Sequence, residues 1–161
     1  MPIKGLKDNT IRTSIVTLNA CLADAIALRM AIKQAHWTVK GPSFIALHEL
    51  FDAVAARIAD NADIMAEQVQ TLGGQAMGTL EAVAKATKMK PYPADLVKDV
   101  DHIRAVCDRI ADVGGRVRKA ISEVSDAGDE DTADIFVAFS RQLDKDLWFI
   151  ESHLGEAPKF A

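Results

Sequence analysis

The sequence predicts an all-α protein, a four-helix bundle with one long crossover between its second and third helices. Apolar residues recur at helical spacing along most of the chain, and no segment alternates as a half-buried strand does. A stretch of about 20 residues, Gly73 to Pro93, separates two long helical segments and is too long for a tight helix–helix turn.

Residues 6–40 contain neither Gly nor Pro. Within them Ile15, Leu18, Leu22, Ile26, Met30 and Ile32 keep helical spacing, with Asn9 or Thr10 as the expected cap. Gly41-Pro42 breaks this helix, because proline disfavours helical geometry in its predecessor. A second helix is expected from Ser43, its N-cap, to Leu72, where Gly73-Gly74 stops it. Thr79 to Ala86 reads as a short helix inside the crossover. Pro93 suits the first turn of the third long helix, with Asp95 near its positive end, and that helix is expected to run to Ser125. Gly114-Gly115 inside it points to a kink or a close helix approach. Ala127 to Glu130 is a polar break. Asp131-Thr132-Ala133-Asp134 opens the fourth helix, which ends near Leu154. This is the ferritin-like arrangement, with a short helix in the crossover and helices two and three parallel. Residues 1–161 are expected to form a single ferritin-like domain, with 1–9 as a flexible N-terminal tail and 155–161 as a C-terminal tail.

Composition narrows the function classes. Hydrophobic residues make up 49% and charged residues 26%, which fits a globular chain and excludes disorder and collagen. No run of 18 apolar residues occurs, so no transmembrane helix is expected, and Met1 to Ser14 lacks the apolar core of a signal peptide. The net charge of −4 argues against strong general nucleic-acid binding. Cys21 and Cys107 read as buried free thiols of a cytoplasmic protein. Gly73 and Gly78 have P-loop spacing, but Thr79 stands where the lysine belongs, so no organic cofactor is expected.

Among the His, Asp and Glu side chains of residues 36–67, the candidates for metal binding are His36, His48, Asp52, Asp63 and Glu67. With His48 at zero on the second helix, Asp52 lies at roughly 40°, Asp63 at roughly 60° and Glu67 at roughly 100°. All share one face, yet Asp52 and Asp63 are roughly 16 Å apart along the axis, while metal–ligand bonds are about 2 Å long. One chain cannot close such a site. A two-fold axis pairing the helix antiparallel with its copy brings His48 and Asp52 of one chain opposite Asp63 and Glu67 of the other, with His36 joining across the Gly41-Pro42 turn. Imidazole with several carboxylates suits iron, manganese or zinc. The competing reading is a solvated helix face in an interaction bundle. A small di-iron oxygenase is disfavoured, because the Glu-x-x-His pair of intrachain sites is absent. Asp99-Val100-Asp101-His102 and His153 read as surface, and Met65 as packing.

The segment His36-Trp37-Thr38-Val39-Lys40-Gly41-Pro42-Ser43-Phe44-Ile45-Ala46-Leu47-His48-Glu49-Leu50-Phe51-Asp52 resembles the signature of the Dps family, the miniferritins named as DNA-binding proteins from starved cells. Asp63-Ile64-Met65-Ala66-Glu67, Leu72-Gly73-Gly74, Thr132-Ala133-Asp134-Ile135-Phe136 and Leu147-Trp148-Phe149-Ile150-Glu151 extend the likeness over residues 10–154.

The resemblance implies a hollow homo-oligomer of twelve subunits in the bacterial cytoplasm or nucleoid. Such a shell binds Fe(II) across its two-fold axes, oxidises it preferentially with hydrogen peroxide and stores ferric mineral. It implies His36, His48 and Asp52 as iron ligands from one subunit and Asp63 and Glu67 from the next. Trp37 and Trp148 become candidate electron relays, against a reading as packing. Asp134 and Asp144 become candidates for a three-fold iron-entry pore, with Asp126, Asp129, Glu130 and Asp131 adding to the field. Lys4 and Lys7, with Arg12, are candidate DNA contacts in a short tail, and weak or absent DNA binding is expected.

Overall fold

The computed structural model describes residues 3–156. Its long helices are α1 (Asp8–Thr38), α2 (Phe44–Thr71), α4 (Asp99–Ala127) and α5 (Glu130–Glu151); α3 (Leu80–Ala86) lies in the crossover, and a 3-10 turn, Ser152–Leu154, closes the bundle. α1 packs along α2 and α4 along α5; α1–α4 and α2–α5 contacts join the two pairs.

Helix direction follows from the ends. Lys40 N–H donates to Val97 O and Asp99 N–H to Lys40 O, both at 2.9 Å, so α4 begins where α2 begins. Thr10 Oγ1 donates to Ala127 O at 2.7 Å, so α4 ends where α1 begins. Helices α2 and α4 are therefore parallel, and the crossover must span the length of α2, 28 residues or about 42 Å.

α1 meets α2, α3 and α4, and its residues are apolar on most sides: Leu18, Leu28, Ile32 and Ala35 are all fully buried. α1 has no run of 18 apolar residues, yet by length and mean composition it is apolar enough to cross a membrane; over half of its most apolar stretch is buried inside the bundle, as suits a core helix. Phe51, Phe136 and Phe139 fill the interior between α2 and α5.

Two buried carboxylates tie distant parts together. Asp24 on α1 accepts from Thr87 Oγ1 (2.7 Å), Lys88 N (2.9 Å) and Arg116 Nε (2.6 Å), fixing the crossover to α1 and α4. Asp129 caps α5 through Thr132 N (3.0 Å) and accepts from Ser14 Oγ at 2.6 Å. Asp129 is buried, so it is not one of the surface acids expected near a pore.

Several boundaries differ from the sequence reading. α1 starts at Asp8 with Lys7 as a cap that makes no side-chain bond, because Thr10 is committed to Ala127. Residues 8 and 9, expected in a tail, form its first turn, and Ile3 and Leu6 pack against the core. α4 starts at Asp99, six residues after Pro93, because Val97 and Asp99 pair their backbones with Lys40 instead. Asp129 caps α5, ahead of the expected Asp131. Gly114 and Gly115 lie within an uninterrupted α4, and neither is approached closely by another helix. The α2 stop is as expected: Gly73 has φ +84°, Gly73 N–H donates to Gln70 O and Gly74 N–H to Val69 O, the bonding of a Schellman end. Thr79 caps α3, accepting from Ala82 N. Residues 1–2 and 157–161, parts of the expected tails, lie outside the described residues.

Candidate metal centre

His36 ends α1 and His48 lies in the second turn of α2, joined by the Val39–Ser43 turn. Gly41 sits in that turn with φ +143°, and a Cβ there would lie 2.6 Å from Asp99 Cγ. Asp99 Oδ2 accepts from Ser43 N at 3.1 Å, an acceptor at the start of α2, where the Ser43 side chain makes no capping bond. The glycine thus admits the carboxylate that holds the turn.

Across this turn the two imidazoles stack, with centroids 3.8 Å apart and planes 21° apart. His36 Nδ1 lies 2.7 Å from His48 O, and His48 Nδ1 lies 2.8 Å from His36 O. A carbonyl only accepts, so both Nδ1 atoms carry a proton, and in the neutral imidazole this leaves Nε2 with the lone pair that metal binding requires. Asp52 follows His48 by one helical turn. Lys33 Nζ lies 2.5 Å from Asp52 Oδ1, and this bond, aided by the lysine charge, holds the Asp52 carboxyl below the usual range.

Asp63 and Glu67 are exposed further along α2, and neither side chain is engaged by a described residue. Among the described residues no three His, Cys, Asp or Glu side chains converge closely enough to hold a metal ion. One chain thus stacks His36 on His48 and carries Asp52 one helical turn beyond, while Asp63 and Glu67 lie further along α2, and it closes no metal site by itself.

The remaining candidates are scattered. Trp37 and Trp148 are 59% and 63% exposed, so neither packs the core of its own chain. Asp134 is exposed; Asp144 is held by Arg118 Nη2 at 2.6 and 2.7 Å, which offsets its charge. Lys4, Lys7 and Arg12 are exposed. His153 is exposed and Met65 buried, as expected, and both cysteines are free, Cys21 buried and Cys107 half-buried.

His102 departs from the surface reading. It is fully buried, 2.7 Å from Tyr92 Oη, and burial pushes its pKa down. Sequence reasoning also passed over Lys33, and Asp99, read as surface, is half-buried against the Ser43 backbone. The spacing of Lys33 from Trp37, one turn on α1, was the available signal for the first; no local pattern marks the second.

The sequence profile described as Ferritin-like domain matches residues 15–160. A DNA protection during starvation protein of Agrobacterium fabrum is 48% identical over 151 residues, covering 94% of this chain and 93% of its own. The chain belongs to the Dps family. The structure of Mycobacterium smegmatis Dps superposes with a TM-score of 0.93 at 30% identity, covering 98% of this chain and 89% of that one. DpsA14 from Streptomyces coelicolor superposes with a TM-score of 0.91 at 30% identity, covering 97% and 94%. The Dps likeness thus extends over both helical pairs and the crossover.

Proposed function

We propose that this Dps-family chain is the subunit of an iron-detoxifying and iron-storing ferroxidase. The observation that carries the reading is the His36–His48 pair, each Nδ1 turned to the other's carbonyl, with His48 on the helix that presents Asp52 one turn on and Asp63 and Glu67 roughly 16–22 Å beyond Asp52 along its axis. A second copy related by a two-fold axis supplies the missing carboxylates. Twelve such chains, each one ferritin-like domain, form a hollow shell in the bacterial cytoplasm.

Fe(II) is the substrate. Carboxylates stabilise the more highly charged Fe(III), and imidazoles give directional ligation. Hydrogen peroxide takes one electron from each of two Fe(II) ions and, with two protons, becomes two waters, so no hydroxyl radical is released. Trp37, adjacent to His36, is the better placed tryptophan to take a stray oxidising equivalent; Trp148 is the second. Asp134 lines the entry path, and Asp144 contributes once Arg118 is displaced. Lys4 and Lys7 make at most weak contacts to DNA, lost as salt rises.

The test is anaerobic addition of Fe(II), then half an equivalent of peroxide per iron, followed by size exclusion. Ferric iron travelling with a large assembly is expected; a small iron-free species would leave only an interaction bundle. The shared site is tested by reassembling His36→Ala with Asp63→Ala/Glu67→Ala subunits. Mixed two-fold sites regain all five ligands and part of the activity, and no regain after proven mixing would sink the model. For DNA, a low-salt gel shift compares the wild type with Lys4→Gln/Lys7→Gln, which keeps Ile3 and Leu6 in place.

A further inference from the structure

The geometry points to a redox role for a pair of residues outside the metal centre: Tyr92 and His102 form a proton-coupled electron donor, in which Tyr92 gives up an electron while its hydroxyl proton passes to His102 Nδ1. This rests on the iron reading above only for the source of the oxidant, and goes beyond it by giving stray oxidising equivalents a place to end.

Tyr92 Oη is 2.7 Å from His102 Nδ1. His102 is fully buried on α4 and Tyr92 half-buried in the crossover. A neighbour sets the direction of the proton. Thr38 Oγ1 gives its own hydrogen to Gln34 O at 2.7 Å, so it turns a lone pair toward His102 Nε2, 3.5 Å away. The neutral ring therefore keeps its hydrogen on Nε2, and Nδ1 accepts from the phenol. Burial holds both groups neutral, pushing the Tyr92 hydroxyl up and the His102 imidazole down. A proton donor thus faces a free base at hydrogen-bond length, the arrangement that proton transfer needs.

Charge decides how the pair is oxidised. The Arg109 guanidinium lies 5.0 Å from the Tyr92 ring centroid, and a cation there opposes positive charge on the ring. Losing the electron alone is therefore costly, and losing it with the proton is favoured. The imidazolium then formed at His102 is supported by the Leu96 backbone and the Asp101 charge. Trp37, exposed and next in the chain to Thr38, links the pair to the metal centre. A single Fe(II) and hydrogen peroxide yield Fe(III), hydroxide and a hydroxyl radical. That radical takes a hydrogen atom from the Trp37 indole nitrogen and becomes water. Tyr92 reduces the Trp37 radical by one electron; its own proton goes to His102, and Trp37 recovers one from solvent. One electron from a further Fe(II), with the proton held on His102, restores Tyr92.

The experiment uses the assembled protein without added iron, in a Trp148→Phe parent that leaves Trp37 and Tyr92 as the only tryptophan and tyrosine. A flash generates a one-electron oxidant from a ruthenium polypyridyl complex and persulfate, and transient absorption with freeze-quench electron paramagnetic resonance follows the radicals. The tryptophanyl signal is expected to decay as a tyrosyl signal rises, and this transfer to slow in deuterium oxide. Adding Tyr92→Phe, which removes only the hydroxyl, should leave the tryptophanyl radical long-lived. Adding His102→Gln should slow tyrosyl formation by about a hundredfold, the low end for loss of a positioned base. A tryptophanyl lifetime equal in Tyr92→Phe and its parent would overturn the donor role. Tyrosyl formation without an isotope effect, or at the parent's rate in His102→Gln, would overturn the transfer to His102. Should His102→Gln not fold, the isotope effect and Tyr92→Phe decide alone. No iron takes part, so failure of the metal-site reading and failure of this one are separate results.

Discussion

His36 and His48 fix each other: each ring nitrogen Nδ1 is bonded to the other residue's backbone carbonyl, at 2.7 and 2.8 Å, and the rings stack between those bonds. Neither imidazole can turn without breaking the bond from its own Nδ1–H to its partner's carbonyl. The pair is thus set in its metal-binding tautomer before any metal arrives, and changing either residue disturbs both. His36→Ala removes one ligand and frees the orientation of the other. Loss of a partner that merely orients a ligand already costs about 10–100-fold in metal affinity or activity. The rate of peroxide-driven Fe(II) oxidation, followed by stopped-flow absorbance, is therefore expected to fall at least about tenfold, with the helical circular dichroism unchanged.

The turn between the two histidines depends on a missing side chain. Gly41 has φ +143°, and a Cβ there would overlap the Asp99 carboxylate. Gly41→Ala is expected to cost about 1–3 kcal/mol and to loosen the turn that presents His36 to His48. Thermal unfolding measures the first effect, and broadening of the two histidine ring signals in NMR measures the second.

Asp146 is a buried charge with a single partner. Its side chain is 0% exposed, and Oδ1 accepts from Arg57 Nε at 3.0 Å and Nη2 at 2.6 Å, while Oδ2 has no partner among the described residues. Arg57→Met should leave the carboxylate uncompensated. Removing one partner of a buried pair costs about 3–5 kcal/mol, and the partial exposure of Arg57 puts the expected loss at the lower end. Urea unfolding of Arg57→Met against Arg57→Met/Asp146→Leu checks it, since the double change should recover much of the stability.

Acid should act through His102. Burial lowers its pKa from the ordinary 6.5, so the unfolded chain takes up the proton before the folded one does. Stability from this residue is complete above pH ~6.5 and falls as pH drops toward the folded value, by at most about 1.4 kcal/mol per pH unit. The urea midpoint is expected to drop between pH 7.5 and 5.5 in the wild type and to drop less in His102→Gln. An equal drop in both would place the acid sensitivity elsewhere.

Both thiols should be inert. Burial, ahead of nearby carboxylates, raises Cys21 and Cys107 to about 12, so the thiolate is scarce at neutral pH. Neither cysteine should react rapidly with a disulfide reagent at pH 8 until the protein unfolds.

Much of this was legible along the chain because it is local. Gly73-Gly74 and Thr79 act through their own turns, and the shared face of His48, Asp52, Asp63 and Glu67 follows from one helix. What sequence reasoning missed is long-range. Pro93 and Asp95 carry good helix-start signals, but Lys40, more than fifty residues earlier, claims the backbone of Val97 and Asp99 first. His102 looks like a surface residue beside Asp99 and Asp101 until Tyr92 folds over it. The same limit hid Lys33, whose partner Asp52 lies on a different helix.

The parallel course of α2 and α4 has a kinetic consequence. The α1–α2 and α4–α5 pairs are hairpins whose contacts close short stretches of chain. Their union is not: Ser14 meets Asp129 across 115 residues, and Thr10 meets Ala127 across 117. Folding slows as contacts become more distant in sequence. Each hairpin is therefore expected to gain helix early, while docking of the two halves sets the pace. Asp24, joining Thr87, Lys88 and Arg116 to α1, belongs to that late event and has little to hold until the halves meet.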